Sequence, residues 1–145
     1  MTTYRIIGKT NPWIAQRDTT FNGKTSVILE KGLTLSQATT ILLRWFNDDY
    51  DLVCPNLGSA MNSREGRDHL SRFKDGTYSY DWDGRTYAIE EEESWSYNYI
   101  VEKNGQVVES GEVTFKYEEE ENEFVERMID KHEEDYADCI EVLFR

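Results

Sequence analysis

The sequence predicts a single α+β domain over residues 1–145, with a mainly antiparallel sheet of about six to seven strands and two main helices packed on one face. Two observations predict this class. Aromatic and polar residues alternate with period two through residues 78–117, and this alternation is interrupted by hairpin turns. Apolar residues recur at helical spacing in two other segments, 35–47 and 118–136. The length suits one domain.

The first half of the chain predicts two strands and a helix. Residues 3–8 and 25–31 are short β-branched or apolar runs, and we expect the segment between them, with Asn11-Pro12, to be a loop. Thr34 and Gln37 are spaced as a capping box, which marks the start of the helix over about 35–47.

The middle of the chain predicts a short helix followed by a four-strand meander. The helix is expected over 63–73. Asp83-Gly84 and Asn104-Gly105 are both favoured in tight hairpin turns, so each should connect two antiparallel strands. Ser110-Gly111 suggests a β-bulge in the fourth strand. A helix from Glu118 to about Tyr136 and a closing strand over 139–144 complete the order.

The charge of the chain is unevenly distributed. The formal net charge is −13, and residues 1–76 contribute +2 while residues 77–145 contribute −15. A large negative field repels phosphate backbones and anionic membranes, so we expect no direct binding of nucleic acid or membrane. The same field attracts basic surfaces.

Several features predict a cytoplasmic location, without indicating the organism. The chain contains no apolar run long enough to cross a membrane, and its first residues lack the pattern of a signal peptide. Cys54 and Cys139 lie far apart and do not form the spacing of a disulfide scaffold or a zinc site.

The sequence contains no complete catalytic or metal-binding motif, which predicts a non-enzymatic protein without a cofactor. The residues around Gly8-Lys9-Thr10 lack the first glycine of a phosphate loop. Asp48, Asp49 and Asp51 follow the predicted helix, where acidic residues are unfavourable. They are either part of a solvated loop or ligands of a metal ion. His69 and His132 are isolated in sequence.

The leading hypothesis is that the acidic runs of the second half form one partner-binding face. Carboxylates one helical turn or two strand residues apart would imitate the charge spacing of a nucleic-acid backbone, and could occupy the basic groove of a nucleic-acid-binding protein. A solvated face is the simpler alternative. The residues of the predicted face are Glu90, Glu91, Glu92, Glu93, Glu118, Glu119, Glu120, Glu121 and Glu123.

The alternative hypothesis is a protein that binds or sequesters a small anionic ligand such as a nucleotide. Its pocket would combine aromatic rings of the sheet with arginines that grip the anion. The simpler interpretation of the aromatic rows is the core face of the sheet. The candidate pocket residues are Arg64, Arg67, Arg72, Tyr80, Trp82, Trp95 and Tyr97.

Small size, acidity and the lack of a catalytic motif are properties shared with small inhibitors of host defence from phages and mobile elements. These include anti-CRISPR and anti-restriction proteins. The analogy is one of class only, since no stretch of the chain carries the diagnostic motif of a family.

Overall fold

The computed structural model describes residues 2–145. Within these residues, eight strands form two antiparallel sheets and five helices accompany them, which confirms the predicted α+β class. No helix in the described part of the chain combines the length and the apolar character needed to cross a bilayer. Backbone contacts divide the chain into two compact units, Met1–Glu92 and Glu93–Arg145. A single domain therefore stays a prediction.

The first unit is built on a five-stranded sheet. The sheet has the strand order β2-β1-β5-β4-β3. The elements of the unit are, in chain order, β1 (Tyr4–Lys9), α1 (Pro12–Arg17), β2 (Ser26–Leu33), α2 (Leu35–Tyr50), α3 (Leu57–Asn62), α4 (Arg64–His69), β3 (Leu70–Arg72), β4 (Tyr78–Trp82) and β5 (Arg85–Glu91).

Helix α2 covers one face of this sheet because its apolar residues recur on one side. Ala38, Leu42 and Phe46 are spaced four residues apart and are fully buried against Ile6 of β1 and Tyr80 of β4. The predicted capping box is confirmed, since the backbone N–H of Gln37 donates to the Thr34 hydroxyl and that of Thr34 donates to the Gln37 side chain.

Two predictions in the first unit were wrong in part. The expected loop after β1 contains α1, because Asn11 accepts from the N–H of Ile14 as the N-cap and proline is compatible with the first turn of a helix. The expected helix over 63–73 is confirmed over α4 and wrong after His69, where the chain continues as β3. Ser63 has an extended backbone and caps α4, and Leu70 and the two residues after it pair with β4.

The second unit is a three-stranded sheet covered by one helix. The strand order is β7-β6-β8, and Val101, Phe115, Phe124 and Met128 form its buried core. Its elements are β6 (Trp95–Lys103), β7 (Gln106–Phe115), α5 (Glu118–His132) and β8 (Ile140–Phe144). Helix α5 ends four residues earlier than expected, and the Asp138 carboxylate accepts from the N–H groups of Glu134 and Asp135 beyond its end.

The predicted four-strand meander is two separate hairpins. Strand β5 pairs with β4 on one side and with β1 on the other, so no edge of β5 is open to β6. Both turns are confirmed, with positive φ at Asp83-Gly84 and Asn104-Gly105. The bulge is not at Ser110-Gly111. Val101 pairs with Glu109 and the next residue, Glu102, pairs with Val107, so Val108 is the extra residue of the bulge.

Candidate functional site

The outer side of α5 carries a line of exposed carboxylates, which we call the acidic stripe. Its members are Glu119, Glu123, Glu126 and Asp130, all exposed. They lie alternately four and three residues apart, so they share one side of the helix and follow one another at about 4.5–6 Å along the axis. The stripe lies opposite the buried residues Phe124 and Met128.

The two basic side chains on the middle and last turns of α5 do not neutralise this stripe. The guanidinium carbon of Arg127 lies over the ring of Phe124, 5.6 Å from its centroid. The ammonium of Lys131 lies 2.5 Å from a carboxylate oxygen of Glu109 on β7. Within residues 2–145, no carboxylate of the acidic stripe forms an ion pair, so its negative charge faces solvent.

Glu109 is the centre of a polar network that holds α5 against β6 and β7. The hydroxyl of Tyr99 donates to its Oε2 at 2.7 Å, while Lys131 and His132 both contact its Oε1. The hydrogen bond from Lys131, followed by those from Tyr99 and His132, lowers the pKa of Glu109 from 4.5 to about 2. The network fixes the end of α5 and therefore the direction of the acidic stripe.

The predicted glutamates of α5 differ in their exposure to solvent. Glu118, Glu119 and Glu123 are exposed, whereas Glu120 and Glu121 are half-buried. The Oε2 of Glu120 accepts from the backbone N–H of Lys116, so this carboxylate helps to begin the helix.

The predicted glutamates at the end of β5 are also divided. Glu90 forms an ion pair with Arg5 on the neighbouring strand at 3.1 Å. Glu92 is buried, and its Oε1 accepts from the N–H of Gly32 at 2.7 Å. Glu91 and Glu93 are exposed. Glu90 and Glu92 therefore make contacts within the first unit, and the two exposed side chains are those of Glu91 and Glu93.

The residues of the acidic stripe that the sequence prediction missed are Glu126 and Asp130. The prediction followed runs of consecutive acids, and neither residue belongs to a run. The helical spacing of 119, 123, 126 and 130 was the signal that could have found them, because residues three and four apart share a helix face.

The predicted arginines of the alternative pocket lie on the surface of the first unit. Arg64, Arg67 and Arg72 are all exposed. Arg67 donates to the carbonyl oxygen of Asn62, and the guanidinium of Arg72 lies 5.9 Å from the centroid of the Tyr78 ring. The structure brings none of the three into the cavity that Tyr80 lines.

The four aromatic candidates of that pocket have different surroundings. Tyr80 is buried in the first unit and its hydroxyl donates to Asp49 at 2.7 Å, while the ring of Trp82 lies under the guanidinium of Arg85 at 5.5 Å. Trp95 and Tyr97 belong to the second unit and pack against Phe115 and Phe144 of its core. The anionic-ligand hypothesis stays a prediction.

The histidines and cysteines are dispersed. His69 lies 3.0 Å from a carboxylate oxygen of Asp81 and stacks on the ring of Tyr50. Cys54 and Cys139 are free thiols. Across residues 2–145, no three His, Cys, Asp or Glu side chains are grouped so that they could hold a metal ion.

The second unit concentrates the charge of the molecule. Residues 93–145 contain 16 acidic and 5 basic residues, a formal charge of −11 of the total −13. Comparisons with protein-family models, with curated proteins and with solved structures gave no match.

Proposed function

We propose that the chain is a non-enzymatic binding protein whose acidic stripe enters the basic groove of a nucleic-acid-binding partner and blocks it. The single observation that carries the proposal is the row of four exposed carboxylates on one side of α5, none of which forms an ion pair within residues 2–145. The charge of −11 on the second unit supports it, because a negative field accelerates the approach of a basic surface.

The spacing of the stripe suits a groove that normally binds a phosphate backbone. Each strand of DNA carries one charge per about 3.4 Å of axis, and the stripe carries one per about 4.5–6 Å. Its charge density is lower than that of a duplex. The carboxylates can nevertheless contact the same lysine and arginine side chains, and such contacts weaken steeply with salt.

A rigid support favours this role over that of a flexible solubilising segment. Phe124 and Met128 are buried on the inner side of α5. Near the C-terminal end of the helix, Lys131 and His132 both contact Glu109. The carboxylates are thus attached to an ordered helix before any partner arrives. Preorganisation reduces the entropy lost on binding.

The proposal includes a location in the cytoplasm of a bacterium or of a phage-infected cell, as for an anti-CRISPR or anti-restriction inhibitor. A nucleic-acid-binding partner would be met there. The two free thiols suit a reducing compartment.

The test is to remove the stripe charges without changing the fold. The stripe variant carries Glu119→Gln, Glu123→Gln, Glu126→Gln and Asp130→Asn. A matched control removes the same charge from exposed or half-buried acids of the first unit, through Glu30→Gln, Asp51→Asn, Glu65→Gln and Asp68→Asn. Both variants should keep the far-UV circular dichroism of the original protein.

The two variants should differ in affinity for partners captured from a native host lysate. Four exposed ion pairs of about 0.7 kcal/mol each predict binding about 100-fold weaker for the stripe variant. The control should bind normally, and the captured proteins should be nucleic-acid-binding proteins. Equal affinity of the stripe variant and the original protein would contradict the proposal.

A further inference from the structure

The first unit contains a cavity of about 320 Å³ beside the C-terminal half of α2. It is open to solvent on one side and lies over the same sheet face that α2 covers. Its volume is within the range of small-ligand sites, at the lower end. The cavity is lined by Thr20, Leu29, Trp45, Asp48, Asp49, Tyr80 and Tyr87.

Three aromatic rings form the apolar wall of this cavity. The rings of Trp45 and Tyr87 meet edge to face, with centroids 6.1 Å apart and planes at 69°. The rings of Tyr80 and Tyr87 are tilted, with centroids 5.1 Å apart. Rings set at angles to one another present their faces from several directions, and an aromatic face attracts a cation through its quadrupole.

Two carboxylates of α2 border the same cavity. Trp45, Asp48 and Asp49 are spaced i, i+3 and i+4, so all three lie on one side of the helix. Asp49 accepts a hydrogen bond from Tyr80, and Asp48 is exposed. Neither carboxylate forms an ion pair in the part of the chain that the structure describes, and Asp49 raises the pKa of the Tyr80 and Tyr87 hydroxyls after the larger effect of burial.

The position of these carboxylates is unfavourable for helix stability. Helix α2 ends at Tyr50, and the C-terminal end of a helix carries partial negative charge that destabilises nearby acids by about 0.3–1 kcal/mol each. Burial raises the pKa of the neighbouring Tyr87 hydroxyl, and Arg85 is the cation that offsets part of this rise. The guanidinium of Arg85 is already paired with the Asp18 carboxylate at 2.8 Å. Among the described residues, the nearby cation Arg85 is thus paired with Asp18, and the carboxylates of Asp48 and Asp49 form no ion pair.

We propose that this cavity binds an organic ammonium cation, with the alkyl or methyl groups against Trp45 and Tyr87 and the charge facing Asp48 and Asp49. An inorganic cation such as Ca²⁺ requires six to eight oxygen ligands, and two carboxylates with one engaged do not provide them. Aromatic faces instead suit a cation that carries carbon groups. The proposal concerns the first unit and does not depend on the acidic stripe.

The probe for this site is choline, compared with 3,3-dimethylbutan-1-ol, an uncharged analogue of the same shape. Binding is followed by the indole N–H signal of Trp45 in ¹H–¹⁵N NMR spectra, with Trp13, Trp82 and Trp95 as internal references. Choline should shift the Trp45 signal saturably. The neutral analogue should bind about tenfold more weakly, because it keeps the apolar contacts and loses the charge.

A peptide that contains trimethyl-lysine distinguishes the two sources of such a cation. If the natural ligand is a protein side chain, the peptide should bind more tightly than choline. If it is a free small amine, choline should bind at least as tightly. In both cases the Trp45 signal responds.

Asp48→Asn is the decisive variant, since Asp48 is exposed and its replacement should leave the fold intact. It should weaken choline binding several-fold, whereas Asp68→Asn, an exposed acid of the same unit outside the cavity, should not. Trp45→Phe keeps an aromatic ring and should bind choline more weakly than the original protein. Equal binding of choline and its neutral analogue, or no saturable shift with any probe, would overturn the proposal.

Discussion

The two units of the molecule differ most in how they distribute charge. Residues 1–92 carry 13 acidic and 11 basic residues, a formal charge of −2, whereas residues 93–145 carry −11 in 53 residues. In the first unit several acids have partners, such as Glu90 with Arg5 and Asp18 with Arg85. In the second unit Lys131 pairs with Glu109 and Lys103 pairs with Glu134, but no carboxylate of the acidic stripe forms an ion pair with a residue that the structure describes. The five basic residues of the second unit therefore leave most of its 16 acidic residues uncompensated.

The cores of the two units differ as well. Nine buried residues of the first unit pack between a five-stranded sheet and α2. The core cluster of the second unit contains four buried residues, which pack against half-buried rings such as Trp95 and Phe144. A unit of this size has a marginal core, and like charges on its surface lower its stability further. Features that lower the stability of a folded unit are typical of functional sites, and the acidic surface is such a feature.

The largest effect should come from Phe115→Ala in the second unit. The Phe115 ring lies within 6.4 Å, centroid to centroid, of Trp95, Tyr97, Phe124 and Phe144. Removal of a buried Phe side chain costs about 3–5 kcal/mol. We expect the NMR signals of the second unit to lose dispersion, while Val107→Ala, at an exposed site on the same strand, leaves them unchanged.

The same variant sharpens the comparison between units. Because backbone contacts divide at residue 93, we expect the indole signals of Trp13, Trp45 and Trp82 to persist in Phe115→Ala. Simultaneous loss of all four tryptophan signals would show one cooperative unit. That result would support the single domain that the sequence predicts.

An intermediate effect should come from Gly66→Ala in the first unit. A Cβ at Gly66 would stand 1.7 Å from the carbonyl oxygen of Ala60 and 2.9 Å from the Ser63 hydroxyl, so α3 and α4 would have to separate. Such overpacking costs about 1–3 kcal/mol. Urea unfolding measures the change, and Asn62→Ala, an exposed site beside this junction, should have little effect. Unchanged stability of Gly66→Ala would contradict the packing described.

The smallest effect should be the pH dependence that Glu109 gives to the second unit. Its pKa falls from 4.5 to about 2 on folding, so its contribution to stability is present above pH 4.5 and is lost as the pH falls through 2. Glu109→Gln should therefore reduce the loss of stability between about pH 5 and pH 3. Part of the loss should remain, because the pKa of Asp138 is also lowered to about 2.

Urea unfolding followed at the Trp95 signal measures this difference. Glu112→Gln is the control, since it removes the same charge from an exposed residue on the same strand. A pH profile of Glu109→Gln that matches the original protein would show that the network does not stabilise the unit.

Local signals in the sequence predicted the elements, and non-local pairing decided how they assemble. The capping box at Thr34 and the turns at Asp83-Gly84 and Asn104-Gly105 depend on neighbouring residues, and all three were confirmed. The meander was wrong because β1, more than 70 residues earlier in the chain, pairs with β5. Periodicity within a strand contains no information about its distant partner.

The candidate sites show the same division. The sequence indicated that Asp48 and Asp49 had no stabilising role at the end of a helix, but it could not place them beside Tyr87 of β5. It identified the acid runs, but it did not indicate that Arg5 pairs with Glu90 or that Glu92 is buried. Burial and pairing of a carboxylate depend on tertiary contacts, and the run of glutamates alone does not determine them.

The most direct test of the proposed function is a competition for the captured partner. Fluorescently labelled nucleic acid is bound to that partner, and its release is measured as the protein is added at low and at high salt. The proposal predicts release by the original protein and by the first-unit control, weaker release at high salt, and release by the stripe variant only at about 100-fold higher concentration. Binding that leaves the nucleic acid in place, or equal release by the stripe variant, would contradict it.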